Sequence, residues 1–148
     1  MSNFNPDEFL MSESEETLAT KFIPWPEGEC EVFVQDVKAD KVGQNNRPVL
    51  KVIFSTQAQE IKDHLSMDEP KLNHTVWLDI DEETGRLAAG TNKNIGLGRL
   101  REALGQNNGS AWAPSHMIGQ PCVISVGHDP DKNDPETVYA RVTAITAA

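Results

Sequence analysis

Five side chains carry the most distinctive chemistry in this sequence: Phe33, Lys51, Trp77, Tyr139 and Arg141, flat rings interleaved with cations. Each lies in an apolar–polar alternation, on the side opposite the aliphatic residues, so all five project outward if the strands close around a core. Rings of this kind stack nucleobases at about 1–3 kcal/mol per base, and cations beside them track phosphates. Trp77 is the strongest stacking candidate because polar Thr75 and Asp79 flank it on the same face. Lys38, Lys41 and Arg47 flank or occupy a turn at Gly43-Gln44-Asn45-Asn46 and add candidate phosphate contacts. The loop His128–Glu136 is a poor anion site, with Lys132 alone among Asp129, Asp131, Asp134 and Glu136. Burial under a helix, an arm or a connector is the competing fate of each ring. It is the expected one for Trp25 and Trp112, which lie in irregular segments.

Catalytic signatures do not accompany these residues. There is no G-x-x-x-x-G-K-[ST] loop, no H-E-x-x-H pair and no G-x-S-x-G elbow. Gly96-Leu97-Gly98 has neither a directly preceding strand nor the third glycine of a dinucleotide fingerprint. His64, His74, His116 and His128 show no zinc-ligand spacing with Cys30 or Cys122. Asp129-Pro130-Asp131-Lys132-Asn133 opens like a calcium loop, but Asp134 replaces the needed glycine and Ala140 the bidentate glutamate. The expectation is a non-enzymatic protein with no catalytic residue, cofactor or metal.

The elements that must position the outward set follow from hydrophobic periodicity. Three strand-like runs, Cys30–Val37, Val49–Phe54 and His74–Ile80, precede a helical run from Asn94 to Leu104. Two further strands follow at Cys122–Val126 and Val138–Val142. Inward positions are Val32 and Val34, then Leu50, Val52 and Phe54, then Val76, Leu78 and Ile80, and finally Val138, Ala140 and Val142. The helix places Leu97, Leu100 and Leu104 on one face and stops at Gly105, while Gly96 and Gly98 favour a start later than Asn94. Gln57–Leu72 reads as a short helix or excursion, with Ile61 and Leu65 at helical spacing. Asp81–Arg86 is a turn, after which Leu87 begins a brief strand. Three strands, a helix and two strands is the order of a mainly β, five-stranded OB-type barrel with one helix between strands three and four. Such barrels commonly bind oligonucleotides on strands two and three and on the loops joining strands one–two and four–five.

Residues 1–20 form an acidic, Ser-rich arm ahead of this domain, which spans residues 21–148. Asn5-Pro6-Asp7-Glu8 has the cap, proline and first-turn acids of a short helix. The formal charge of −10 is concentrated here: residues 1–31 hold eight acids and one base, the other 117 residues fifteen acids and twelve bases. The body is therefore near neutral and can hold a basic groove, although no strong basic footprint stands out. No apolar stretch approaches the roughly 20 residues of a membrane span, and residues 1–8 lack the basic and apolar regions of a secretory signal. With two cysteines on strand positions, free thiols in a reducing cytosol are expected.

Phe22-Ile23-Pro24-Trp25-Pro26-Glu27-Gly28-Glu29 leading into an alternating strand resembles the start of a group of small bacteriophage OB-fold proteins. Asn94–Gly105 looks like their helix before a glycine break, Met117–Val123 like the approach to strand four, and Val138–Val142 like the closing strand. The likeness covers roughly residues 22–146 and is one of pattern and order. It implies single-stranded DNA binding in phage replication or recombination, in the host cytoplasm, with replication or recombination proteins as further partners. No nucleotide-contacting signature transfers residue by residue. The chain departs from the familiar single-stranded DNA-binding design, whose acidic, aromatic-tipped segment follows the barrel. Here residues 143–148 are uncharged, and the acidic segment with Phe4 and Phe9 precedes the barrel. Two other readings compete: a virion structural or protein-interaction module on an OB-like barrel, and an acidic mimic of nucleic acid. Barrel-edge pairing would also permit a homo-oligomer.

Overall fold

The computed structural model describes residues 3–148; the first two residues of the acidic arm lie outside the described residues. Its elements in chain order are α1 (Pro6–Met11), β1 (Gly28–Val42), β2 (Arg47–Ser55), α2 (Gln59–Leu65), β3 (Lys71–Trp77), β4 (Ile80–Asp81), β5 (Arg86–Leu87), α3 (Ile95–Ala103), a 3-10 turn (Pro114–Met117), β6 (Pro121–Pro130) and β7 (Val138–Thr146). Five strands form one antiparallel sheet in the order β3-β2-β1-β6-β7, and β4 pairs with β5 in a separate hairpin. The fold is mainly β. The sheet is not closed by hydrogen bonds: β3 and β7 come close to each other without sharing a ladder.

β1 is the hub. Its first part pairs with β6, from Gly28↔Val126 to Phe33↔Pro121, and its second with β2, ending at Val42↔Arg47. A bulge between Val34 and Asp36 bends the strand as it changes partner. Inside the curve sit Val32, Val34, Leu50, Val52, Phe54, Leu72, Val76, Cys122, Ile124, Val126 and Val142, all buried. α3 adds Leu97, Leu100 and Ala103, and the 3-10 turn adds Met117. Together these apolar side chains supply the area removed from water that drives the fold. The buried hydroxyls are satisfied, Ser55 donating to the Pro70 carbonyl at 2.7 Å and Thr56 to the Glu31 carbonyl at 2.9 Å.

The observed third strand is offset from its sequence reading. It runs Lys71–Trp77, so its inward residues are Leu72, His74 and Val76, while Leu78 and Ile80 are only half-buried. The reason lies in the local hydrogen bonds. After Trp77 the chain leaves the ladder, and Asn94 holds the resulting excursion: its side chain accepts from Asp79 N–H at 2.8 Å and donates to the Asp79 and Ala88 carbonyls at 2.9 Å. Two further helices accompany the one expected between the third and fourth long strands. α2 is the helical reading of residues 57–72, with Ile61 buried and Leu65 half-buried. α1 is capped by the Asn5 side chain, which accepts from Asp7 N–H at 3.0 Å and Glu8 N–H at 3.2 Å, and it buries no residue. Cys30 and Cys122 are free thiols. No helix among the described residues is long and apolar enough to cross a membrane.

Candidate nucleic-acid interface

Register decides which outward residues share a surface, because cross-strand partners lie on the same face of a sheet. On β1, β2 and β3 the face that carries Trp77 holds three successive rows: Lys38, Lys51 and Thr75; Asp40, the fully buried Val49 and Trp77; and, at the turn, Val42 with Arg47. Trp77 is 48 % exposed, and the Arg47 guanidinium lies over its ring, 4.5 Å from the centroid. That stack pairs an accessible flat surface with a fixed charge. Lys51 Nζ contacts Asp40 Oδ2 at 3.1 Å; the Lys41 backbone N–H and then Lys51 hold the Asp40 carboxyl below its usual range. Lys38 and Lys41 make no ion pair among the described residues. The turn between β1 and β2 forms where Gly43 and Asn46 adopt positive φ, closed by Asn46 N–H donating to the Gly43 carbonyl at 3.2 Å.

Phe33 belongs to the same outer face but sits at its far end, opposite Ser55 and Pro121, and is half-buried. Trp25 is buried in the core, and Trp112 packs half-buried against it, its indole N–H donating to Gln106 Oε1 at 2.9 Å. Both follow the packing role expected of them.

Tyr139 and Arg141 form a different group. They lie on β7 opposite Asp129 and Gly127 of β6, beside the last hairpin loop. Arg141 Nε meets Asp129 Oδ2 at 2.6 Å and draws that carboxyl below its usual range. The Tyr139 hydroxyl donates to Asp131 Oδ2 at 2.8 Å, and this bond holds the phenol above its ordinary value. Lys21 is similarly engaged by Asp134 at 3.1 Å and Glu136 at 3.3 Å, its charge stabilised chiefly by the hydrogen bond to Asp134. Cations on this side of the molecule are thus met by acids, whereas several on the β1–β2 side are not. An exposed tyrosine and an arginine remain here, but in a strongly acidic setting.

A cleft of about 950 Å³ opens between the β1–β2 hairpin and the excursion after Trp77; Ala39, Lys41, Pro48 and Leu78 line it, and Trp77 does not. Asp40, Val49, Asp79, Glu82 and Lys93 line it too. Lys93 is a residue the strand pattern could not locate, since it belongs to an irregular segment. Its signal was compositional: residues 84–101 contain Arg86, Lys93, Arg99 and Arg101 and no acid. No group of three or more His, Cys, Asp or Glu side chains suited to a metal occurs among the described residues. No family model and no curated protein matches the chain.

Proposed function

We propose that the protein binds single-stranded DNA, with little sequence preference, on the outer face of β1, β2 and β3. The observation that carries this reading is the exposed Trp77 ring with Arg47 stacked on it, set beside the Lys38–Lys51 row. A base stacks on the exposed part of the indole, and Arg47, held 4.5 Å from the ring centroid, meets the adjoining phosphate. Lys38 and Lys51 continue the charge along this face, while Lys41, in register with Pro48, lies on the other face of the same hairpin. Every base has a π-face, so stacking of this kind discriminates little between sequences. The strand order, with α3 between β3 and β6, supports an OB-type barrel left open between β3 and β7, and such a barrel commonly uses this face. Phage replication or recombination is the setting in which such a protein would coat or present a strand.

The test is anisotropy binding of labelled oligo-dT and of a matching duplex, at low and moderate salt. The expected result is single-strand-selective binding that weakens with salt, and a loss of about 1–3 kcal/mol for Trp77→Ala. A Trp77→Ala variant that folds normally and binds as the parent does would remove Trp77 from the site.

A second reading, a protein-interaction module, is favoured by one observation. α1 is well capped yet buries none of its side chains, leaving Phe9, Leu10 and Met11 exposed next to Asp7 and Glu8. An acidic helix with an apolar side suits a partner groove that is apolar and basic-rimmed. The two readings are compatible if the arm recruits replication or recombination proteins while the sheet holds DNA.

A further inference from the structure

Resting on the DNA-binding reading, we infer that the bound strand turns away from the last hairpin loop. It leaves Trp77 through the cleft beneath the excursion, passes Lys93, and ends over Arg99 on α3. The observations are spatial and electrostatic. The cleft between the hairpin and the excursion begins at Leu78, next to Trp77 in the chain, and is bounded by Lys93. Lys93 also lines a second cleft of about 590 Å³, between the excursion and α3, together with Gly98, Arg99 and Arg101. Lys93 and Ala88 line both clefts, which therefore adjoin at the excursion.

Charge gives the groove a direction. Lys93 and Arg99 are exposed and make no ion pair among the described residues. Arg101 is partly committed, stacked 4.1 Å from the Trp112 centroid and donating to the Gln106 carbonyl. Of the acids in the groove only Asp40 is paired with a cation, Lys51; Asp79 accepts from Asn94 N–H at 2.8 Å and Glu102 from Asn107, bonds that fix these carboxylates but leave their charge. Glu82 is the remaining one, at the rim of the first cleft. The opposite route meets Asp129, Asp131, Asp134 and Glu136, which already hold Arg141, Tyr139 and Lys21. A polyanion follows the groove in which cations lack partners.

The experiment compares oligo-dT of about 4 and about 16 nucleotides, lengths that bracket the site sizes of single barrels. Both are titrated across salt with the full chain and with the Lys93→Ala/Arg99→Ala double variant, its fold checked by thermal melting. Two lost phosphate contacts lower the single-strand salt slope by about 1.4. Affinity for the long strand should fall about tenfold, while the short strand, held at Trp77, binds as before. A Lys132→Ala/Arg141→Ala variant should leave both strands unaffected. If the long strand keeps its affinity and slope in the Lys93/Arg99 variant, or loses them in the Lys132/Arg141 variant, the route is wrong although DNA binding stands. If the parent chain binds neither strand at low salt, the DNA-binding reading itself fails, and the route fails with it.

Discussion

His74 is a titratable side chain that the alternation of β3 turns toward the core. It lies on the inward face of β3 in register with Val52, and its ring stacks on Phe54 with centroids 6.3 Å apart. Burial disfavours the charged imidazole and holds its pKa below the ordinary value. The folded state therefore binds fewer protons than the unfolded chain below about pH 6.5. Stability from this group is complete above that pH and is lost as pH falls toward the folded value. We expect His74→Leu to flatten the pH dependence of urea-melt stability between about pH 7 and pH 5. Parallel profiles for parent and variant would show that His74 is freely hydrated. Cys122, also enclosed, has its thiol pushed up to about 11 by burial. The outward Trp77 is the residue-scale counterpart: alternation alone identified its face, because Thr75 and Asp79 bracket it. The Arg47 stack upon it needed the hairpin's register.

Among the elements, the excursion between Trp77 and α3 has the weakest sequence signal and the largest bearing on the site. Its stability rests on Asn94, which adopts a left-handed conformation (φ 52°) and ties Asp79 and Ala88 to the start of α3. Asn94→Ala removes three side-chain hydrogen bonds and leaves a residue poorly suited to positive φ. It should cost about 2–3 kcal/mol in thermal or urea unfolding, from the two effects together. Asn94→Gly, which relieves only the backbone part, should cost less; equal losses would mean that φ is not involved. The long strands and α3 were legible because their apolar residues repeat at periods of 2 and 3.6. The boundary of β3 was not: Leu78 and Ile80 continue its alternation, yet Asn94, fourteen or more residues later, decides where the chain departs.

At the scale of the whole molecule, the net charge of −10 is spread unevenly, with eight acids and one base in residues 1–31 and fifteen acids and twelve bases in the rest. The arm contributes five acids within residues 2–16 and no base, and α1 within it buries nothing. Deleting residues 2–16 should therefore leave the melting temperature unchanged within about 1 °C, while single-stranded DNA affinity rises through reduced repulsion. Unchanged affinity together with unchanged partner binding would leave the arm without a role in either. A fall in melting temperature would show that the arm packs on the body.

By itself, the sequence determined the mainly β character, the count and order of the five long strands, the helix before the fourth of them, the capped helix in the arm and the outward set of rings and cations. All of these follow from local periodicity and turn chemistry, which adjacent residues specify. Only the tertiary structure decided which of those residues stand together. Register set Arg47 on Trp77 and Lys51 beside Asp40, and it separated both from Tyr139 and Arg141, which ended among the acids of the last hairpin. The path of the excursion, outside any strand, sets Lys93 in the lining of the same cleft as Lys41. Charge pairing acts through space over a few ångströms, so the same cation is neutralised on one strand and free on another, whatever its neighbours in sequence.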